Sequence, residues 1–405
     1  MIEPAPPIAA SAEAALLGDV VARDPLATAA RTRLVGLLAD QDRFDEAIAL
    51  AEQTPLPLGF DLALNYCRGL FGRHDPAADR LALTVLAEQL SRADQPQAQA
   101  RLLAEQGKAL VRQGQDGPAL AAFTEALRRF PASLVAFERL AHVLLRTGQF
   151  AEADWLTGQL QAQGISHSRL LSARTLAKAA LGDDAAARAL LGQAWLPPVP
   201  AIAVPSGWPD LASLNAAAAQ EILADPSIRL RRHGTASRHT SRVDHPGRPG
   251  AHAVQALLAA IASATSRWIA DVSALPALTA LPALPDQPHP WLASRPDRLV
   301  LQCWCVVTGA EGLERWHMHN AGWLSGGYYI AVPPAVTTGT DRAGCLAFGL
   351  PPELVGADAA QRFGERLVRP AAGMLSLFPS HAHHRTYPHG AAEQRICLAF
   401  DLVPA

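Results

Sequence analysis

Apolar and small residues in the first half of the chain recur three and four positions apart, with charged residues between them. Stretches such as VRQGQDGPALAAFTEALRRFP and LRTGQFAEADWLTGQL therefore predict helices that bury one face. Gly114, Gly148 and Gly182 stand 34 residues apart, and Ala119, Ala153 and Ala187 follow them at a constant distance. Upstream, ADQDRFDEAIALAEQTP repeats the theme with Phe44 and Ala47, and the pattern is degraded between residues 60 and 98. Past Leu196 it breaks. The stretch LPPVPAIAVPSGWPD cannot continue a helix; one short helix is predicted at LASLNAAAAQEIL and an amphipathic helix from His252 to Val272. After Arg298 the period shortens to two. LVLQCWCVV, GWLSGGYYIAVP, GCLAFGL, GMLSLFPS and RICLAFDLV read as short strands separated by Gly, Pro and Asp turns. Such a series of antiparallel strands predicts a β-sandwich or jelly roll.

The 34-residue period, with small residues where paired helices touch and a glycine at the turn, resembles the tetratricopeptide repeat. The fold class is read as multidomain α + β. A tetratricopeptide-like helical solenoid covers residues 12–198, a Pro-rich linker 199–226, and a double-stranded β-helix of the jelly-roll or cupin-like kind 227–405. A helical pair cannot bury its apolar face alone, so neighbours stack around a concave groove. That groove is expected to hold a peptide or protein; the repeats could equally pair two copies as a homodimer or brace the second domain.

Composition narrows the classes. At 405 residues, 49% hydrophobic and 18% charged, the chain is long enough for two or three globular domains. A formal net charge of −2 gives no electrostatic case for nucleic acid. The N-terminus carries an acid and prolines where a signal peptide needs a basic start, and no apolar run of about 18 residues is present, so no membrane span is expected. Cys67, Cys303, Cys305, Cys345 and Cys397 form no CxxC pair, which suits reduced thiols in a cytoplasmic protein.

Candidate chemistry gathers near the C-terminus, where six of the 14 histidines follow residue 316. On a strand, residues i and i+2 face the same way, so His317 and His319 can present both imidazoles to one point. FPSHAHHRTYPHGAAEQRICLAF then supplies His381, His383, His384 and His389, followed by Arg395. Three imidazoles around one cavity, with coordination positions left open, suit a catalytic metal.

HMHNAGWLSGGYYIAVPP and LVRPAAGMLSLFPSHAHHRTYPHGAAEQRICLAFDL together resemble bacterial 2-oxoglutarate- and Fe(II)-dependent oxygenases that carry N-terminal tetratricopeptide repeats. The family pattern falls on His317, His319, Gly322, Trp323, Ser325, Tyr329 and Pro333, then on Phe378, Pro379, Ser380, His384 and Arg395. The resemblance implies Fe(II), 2-oxoglutarate and O2, and a hydroxylation whose substrate is a peptide or protein side chain held by the repeats. It implies His317, His319 and His384 as metal ligands and Arg395 as a bidentate, always protonated anchor for the far carboxylate of 2-oxoglutarate. Ser325 and Tyr329 share a strand face and are placed against the co-substrate. One departure stands out: the usual triad of such sites has a carboxylate where this chain has His319. Either iron takes three imidazoles, or His319 stands behind the other two.

Remaining histidines are assigned blander roles. His384 fits the spacing to Arg395, so its neighbour His383 points away; His389, in a Pro-Gly turn, is solvated; His233, His239 and His245 belong to a solvated basic arm. Trp316 and Trp323 are wall or core residues. Two other readings compete: a non-catalytic repeat scaffold with a degenerate jelly roll, and a three-histidine dioxygenase that does not use 2-oxoglutarate.

Overall fold

A computed structural model describes residues 2–4, 10–192, 199, 201–230, 236–274 and 289–405. The chain divides into two compact units, Pro7–Leu144 and a second formed by Met1–Pro6 with Leu145–Ala405.

The first unit is built of helices α1 (Ala10–Arg23), α2 (Thr28–Asp40), α3 (Phe44–Glu52), α4 (Phe60–Gly72), α5 (Pro76–Arg92), α6 (Pro96–Arg112), α7 (Asp116–Arg129) and most of α8 (Leu134–Arg146). Its core is lined with small and aliphatic side chains, among them Val35, Ala47, Ala51, Leu62, Ala63, Ala82, Leu86 and Leu102. Small residues let the helices approach closely: a Cβ on Gly107 would lie 2.3 Å from the Phe123 ring. The stretch with the degraded pattern still forms α4 and α5, and the reason lies at the turns. Residues 42, 74, 114, 148 and 182 all have positive φ, and each stands two residues before a helix start, at 44, 76, 116, 150 and 184. The first two are Asp42 and His74 rather than glycine, so the same left-handed turn is made there against the preference of an L-residue. Asp42→Gly is expected to stabilise the protein by about 1 kcal/mol, read as a rise in the midpoint of denaturant unfolding.

The second unit begins with α9 (Phe150–Ala162), α10 (Ser168–Ala180) and α11 (Asp184–Leu191), followed by α12 (Leu211–Leu223) and α13 (His252–Ser273). Its strands are β1 (Ile2–Pro4), β2 (Arg229–Leu230), β3 (Ser237–Val243), β4 (Leu299–Glu314), β5 (Leu324–Ala331), β6 (Leu346–Phe348), β7 (Arg366–Val368), β8 (Leu375–Pro379), β9 (His384–Thr386) and β10 (Arg395–Pro404). One sheet runs β2-β3-β4-β10-β5-β8, with β1 parallel to the start of β4, and the second runs β7-β6-β9. Every pair but β1–β4 is antiparallel. The fold is thus the expected α + β combination of repeat-like helices with a jelly roll.

All five strand-like runs form strands, and both expected helices after the first Pro-rich stretch are present as α12 and α13. Most of that stretch (193–198 and 200), His233 and the second Pro-rich loop (275–288) lie outside the described residues. The basic stretch read as a solvated arm instead continues as β3, paired to β4; His239 and His245 are exposed there. By length and composition α13 is apolar enough to cross a membrane. It buries Val254, Leu257, Ile261, Ala264, Trp268, Ile269 and Val272 along one face and is tied to α12 by Glu221, which accepts from the Ala253 and Val254 N–H groups. Where the sequence pattern ends its repeats at 198, contacts group α9–α11 with the jelly roll.

Those last helices are fastened to the jelly roll by buried polar groups. His289 donates from Nε2 to Ala189 O at 3.0 Å and accepts the Trp291 N–H at Nδ1. His381 donates from Nε2 to Leu190 O at 2.9 Å. Burial pushes His289 down to about 4 and His381 to about 3. Both folded values lie below the ordinary histidine value near 6.5, so the folded form resists protonation. Their stability contribution is whole above that value and is lost as pH falls toward 4. Thermal unfolding should show a melting temperature that drops between pH 6.5 and 4, with a shallower slope in His289→Gln, which keeps a donor to Ala189 and does not titrate.

Candidate metal centre

The two ends of the candidate site meet through backbone pairing. His317 and His384 form an antiparallel bridge: His317 N–H donates to His384 O at 3.0 Å and His384 N–H to His317 O at 2.9 Å. Two residues on, His319 N–H donates to Ser380 O at 3.0 Å. Alternation then carries the side chains of 317 and 319 to the same side, where His384 also lies. Ring centroids are 4.2 Å apart for 317–384, 5.0 Å for 319–384 and 5.3 Å for 317–319. One ring nitrogen of each lies within 4.8 Å of the others.

Each ring also has a fixed tautomer. Nδ1–H of His317 donates to Arg315 O at 2.7 Å, and that of His384 to Ala382 O at 3.0 Å. Nδ1 of His319 is bound to the carboxylate of Asp401. With every Nδ1 engaged by an oxygen acceptor, the free lone pairs are on Nε2, as a metal ligand requires. Burial, reinforced by the neighbouring His319, pushes His317 down to about 4, and burial pushes His384 further below its ordinary value. The pair is neutral at pH 7, the state that coordinates. The donor set fits a first-row divalent metal.

A cavity opens on these rings, lined by Trp304, Phe378, Leu346 and Tyr329 and by two charged residues, Glu314 and Arg395. Arg395 is buried; its guanidinium donates to two neutral oxygens, Gly344 O at 2.8 Å and Thr386 Oγ1 at 3.3 Å. It opens β10, and Cys397 and Ala399 continue along the cavity on the same strand face. Glu314 accepts from Ser237 Oγ at 2.8 and 3.0 Å, and burial raises its carboxyl pKa against the pull of that hydrogen bond and of Arg395. Trp304 faces His319 across 5.6 Å, and Arg242 lies 4.7 Å over its ring.

Ser325 and Tyr329 share a face of β5, but they serve opposite ends of the site. Tyr329 lines the cavity near Arg395, and burial pushes its hydroxyl pKa up. Ser325 lies behind His319, donating to Asp401 Oδ1 at 2.7 Å and lying 2.7 Å from Ser380 Oγ. The register explains the split: Ser325 pairs with Asp401 and Tyr329 with Cys397 across β5–β10. Reading the sequence missed Asp401 and Glu314. Asp401 is an even number of residues beyond Arg395 on one strand, and that same-face spacing was the available signal.

His383 points away from the cluster to Ser172 Oγ on α10, as its position beside His384 suggested. His389 corrects the expectation of a solvated turn. It is buried, with Nε2 donating to Thr308 O at 3.1 Å, because its turn folds back onto β4. Trp323 is a core residue. It stacks on Trp291 at 4.6 Å, and each indole N–H donates to the other residue's carbonyl at 2.8 Å. Trp316 is half-buried beneath Arg385.

Residues 302–401 match the family model described as "Putative 2OG-Fe(II) oxygenase". The jelly roll carries a 2OG-Fe(II) oxygenase domain. The matched segment of this oxygenase domain includes all three clustered histidines, Ser325, Tyr329, Arg395 and Asp401. No curated protein matches the chain. Among solved structures, a Pseudomonas putida prolyl-4-hydroxylase is 18% identical, covering 48% of this chain and 88% of its own, with a TM-score of 0.29. The non-heme alpha ketoglutarate dependent carbocyclase SnoK from nogalamycin biosynthesis is 12% identical over 50% of this chain and 78% of its own, with a TM-score of 0.33. A tetratricopeptide repeat protein from Parabacteroides merdae is 16% identical over 45% and 71%, with a TM-score of 0.36.

Gly322 of the oxygenase motif has a steric reason. A Cβ there would lie 2.4 Å from Ser380 Oγ and 3.3 Å from Asp401 Cβ. Gly322→Ala should push Ser380 off its partner and destabilise the metal-free protein by about 1–3 kcal/mol, measured by denaturant unfolding.

Proposed function

We propose that this protein is an Fe(II)- and 2-oxoglutarate-dependent oxygenase that hydroxylates a side chain of a peptide or protein. The observation that carries the reading is the placement of Arg395 in the same cavity as three imidazoles whose Nδ1–H groups are all anchored. His317, His319 and His384 would hold the metal through Nε2. Iron bound there with 2-oxoglutarate and O2 would supply oxidative decarboxylation to succinate and CO2 coupled to hydroxylation of the substrate. Arg395 would pair with the far carboxylate of the co-substrate, in a site where burial strengthens a charged hydrogen bond. Trp304, Phe378 and Leu346 would keep water from the reacting centre.

A peptide or protein substrate is favoured by the contact between α10 and the motif loop. Ser168 Oγ on α10 donates to Gly322 O, and Ser172 meets His383. A three-histidine dioxygenase without 2-oxoglutarate is the second reading, favoured because, among the described residues, the metal-ligand cluster holds three histidines and no carboxylate; a buried arginine in the cavity speaks against it, since such chemistry has no dicarboxylate to anchor.

Anaerobic addition of Fe(II) and 2-oxoglutarate should produce a weak visible charge-transfer band, and admission of O2 should release succinate. Arg395→Ala should weaken 2-oxoglutarate binding on the order of 100-fold while iron still binds, and His384→Ala should abolish iron binding. Iron binding without the band would favour the three-histidine dioxygenase, and failure to bind iron would favour the scaffold.

A further inference from the structure

The three anchored histidines are not equivalent. His317 and His384 donate to backbone carbonyls, which are neutral, whereas His319 donates to a carboxylate. Asp401 is itself held in place. Ser325 Oγ donates to its Oδ1 at 2.7 Å, and Ser325 is in turn 2.7 Å from Ser380 Oγ. The backbone closes the same loop, with His319 N–H on Ser380 O and Ser380 N–H on Trp323 O. The side chains of His319 and Asp401 are only 10% and 14% exposed, so the pair is screened little by solvent.

A dication bound to three imidazoles keeps its full charge, unlike one with a carboxylate ligand. An imidazole that donates Nδ1–H to a carboxylate becomes a more basic and partly anionic ligand at Nε2. We propose that Asp401, acting through Nδ1–H of His319, supplies the negative charge that the ligand set lacks, which makes His319 the most electron-donating of the three ligands. The carboxylate has moved one imidazole outward. Asp401 is a positioning and charge-supplying residue, and the inference rests on the assignment of His317, His319 and His384 as ligands. Glu314, the cavity's own carboxylate, is a poorer source of this charge, being bound to Ser237 rather than to a ligand.

The test compares wild-type protein with Asp401→Asn, which keeps an oxygen acceptor in the same place and removes the charge. Fe(II) alone is titrated anaerobically into the metal-free proteins, and the Fe(III)/Fe(II) potential of the loaded forms is measured in the absence of 2-oxoglutarate. Asp401→Asn should bind Fe(II) about 10- to 100-fold more weakly and shift the potential to a more positive value, while the metal-free melting temperature holds. A purely structural role would move the melting temperature and leave the potential alone. Unchanged affinity and potential would overturn the proposal. So would X-ray absorption showing a carboxylate oxygen bound directly to iron that Asp401→Asn removes. Should Asp401→Asn not fold, Ser325→Ala takes its place: it leaves the charge but frees Asp401, and is expected to weaken Fe(II) binding severalfold, with no change counting against the proposal. Wild-type protein that binds no iron would instead sink the ligand assignment itself.

Discussion

Three imidazoles packed into one small space cannot all be charged, and burial holds His317 and His384 neutral. Protonated rings with centroids 4.2 to 5.3 Å apart would repel one another in a region where burial already opposes charge. A neutral imidazole, however, still carries one N–H, and a buried donor without an acceptor is costly. The site therefore needs three oxygens behind the three rings, each placed so that the opposite nitrogen faces inward. Arg315 O and Ala382 O come from the ligand segments themselves, two residues from the rings they hold. The third comes from Asp401 on the neighbouring strand β10, and it depends on the β5–β10 register that sets Asp401 beside Ser325.

The same requirement explains how heavily the motif loop is braced. Gly322 and Trp323 lie between the first ligand pair and β5, so any slack there would move His319. The loop is clamped from behind by the reciprocal Trp291–Trp323 hydrogen bonds, and from the helical side by Ser168. His289 and His381 fasten the neighbouring backbone to α11. Buried polar contacts thus tie α10 and α11 to the jelly roll, and α9 packs on α10, so the three helices group with that unit although their sequence belongs to the repeats. Sequence period reports which residues share a helix face, whereas compactness reports what those faces press against.

The cavity has a polar and an aromatic side. Arg395, Glu314 and Tyr329 stand toward the start of β10, while Trp304 and Phe378 stand against the imidazoles. Glu314 and Arg395 put opposite charges in one buried space. Burial raises the carboxyl pKa of Glu314 and the nearby guanidinium lowers it, so the charge of Glu314 depends on what stands against Arg395.

Much of this was legible along the chain. Strand alternation alone puts His317 and His319 on one face; the 34-residue glycine spacing marks the helical turns; apolar runs of period two locate the five principal strands. These features are local, since they follow from the backbone's own periodicity and from the conformations that glycine permits. Tertiary structure alone decided the rest. Asp401 lies 82 residues from the histidine it holds, and nothing in either segment encodes that register. His389 sits in a turn that reads as solvated and is buried by β4. His381 and His383 look like ligands of a second HxH pair until α10 and α11 take them as partners. A side chain's chemistry is written in the sequence, but its partner is set by strand pairing and packing, which bring together residues far apart along the chain.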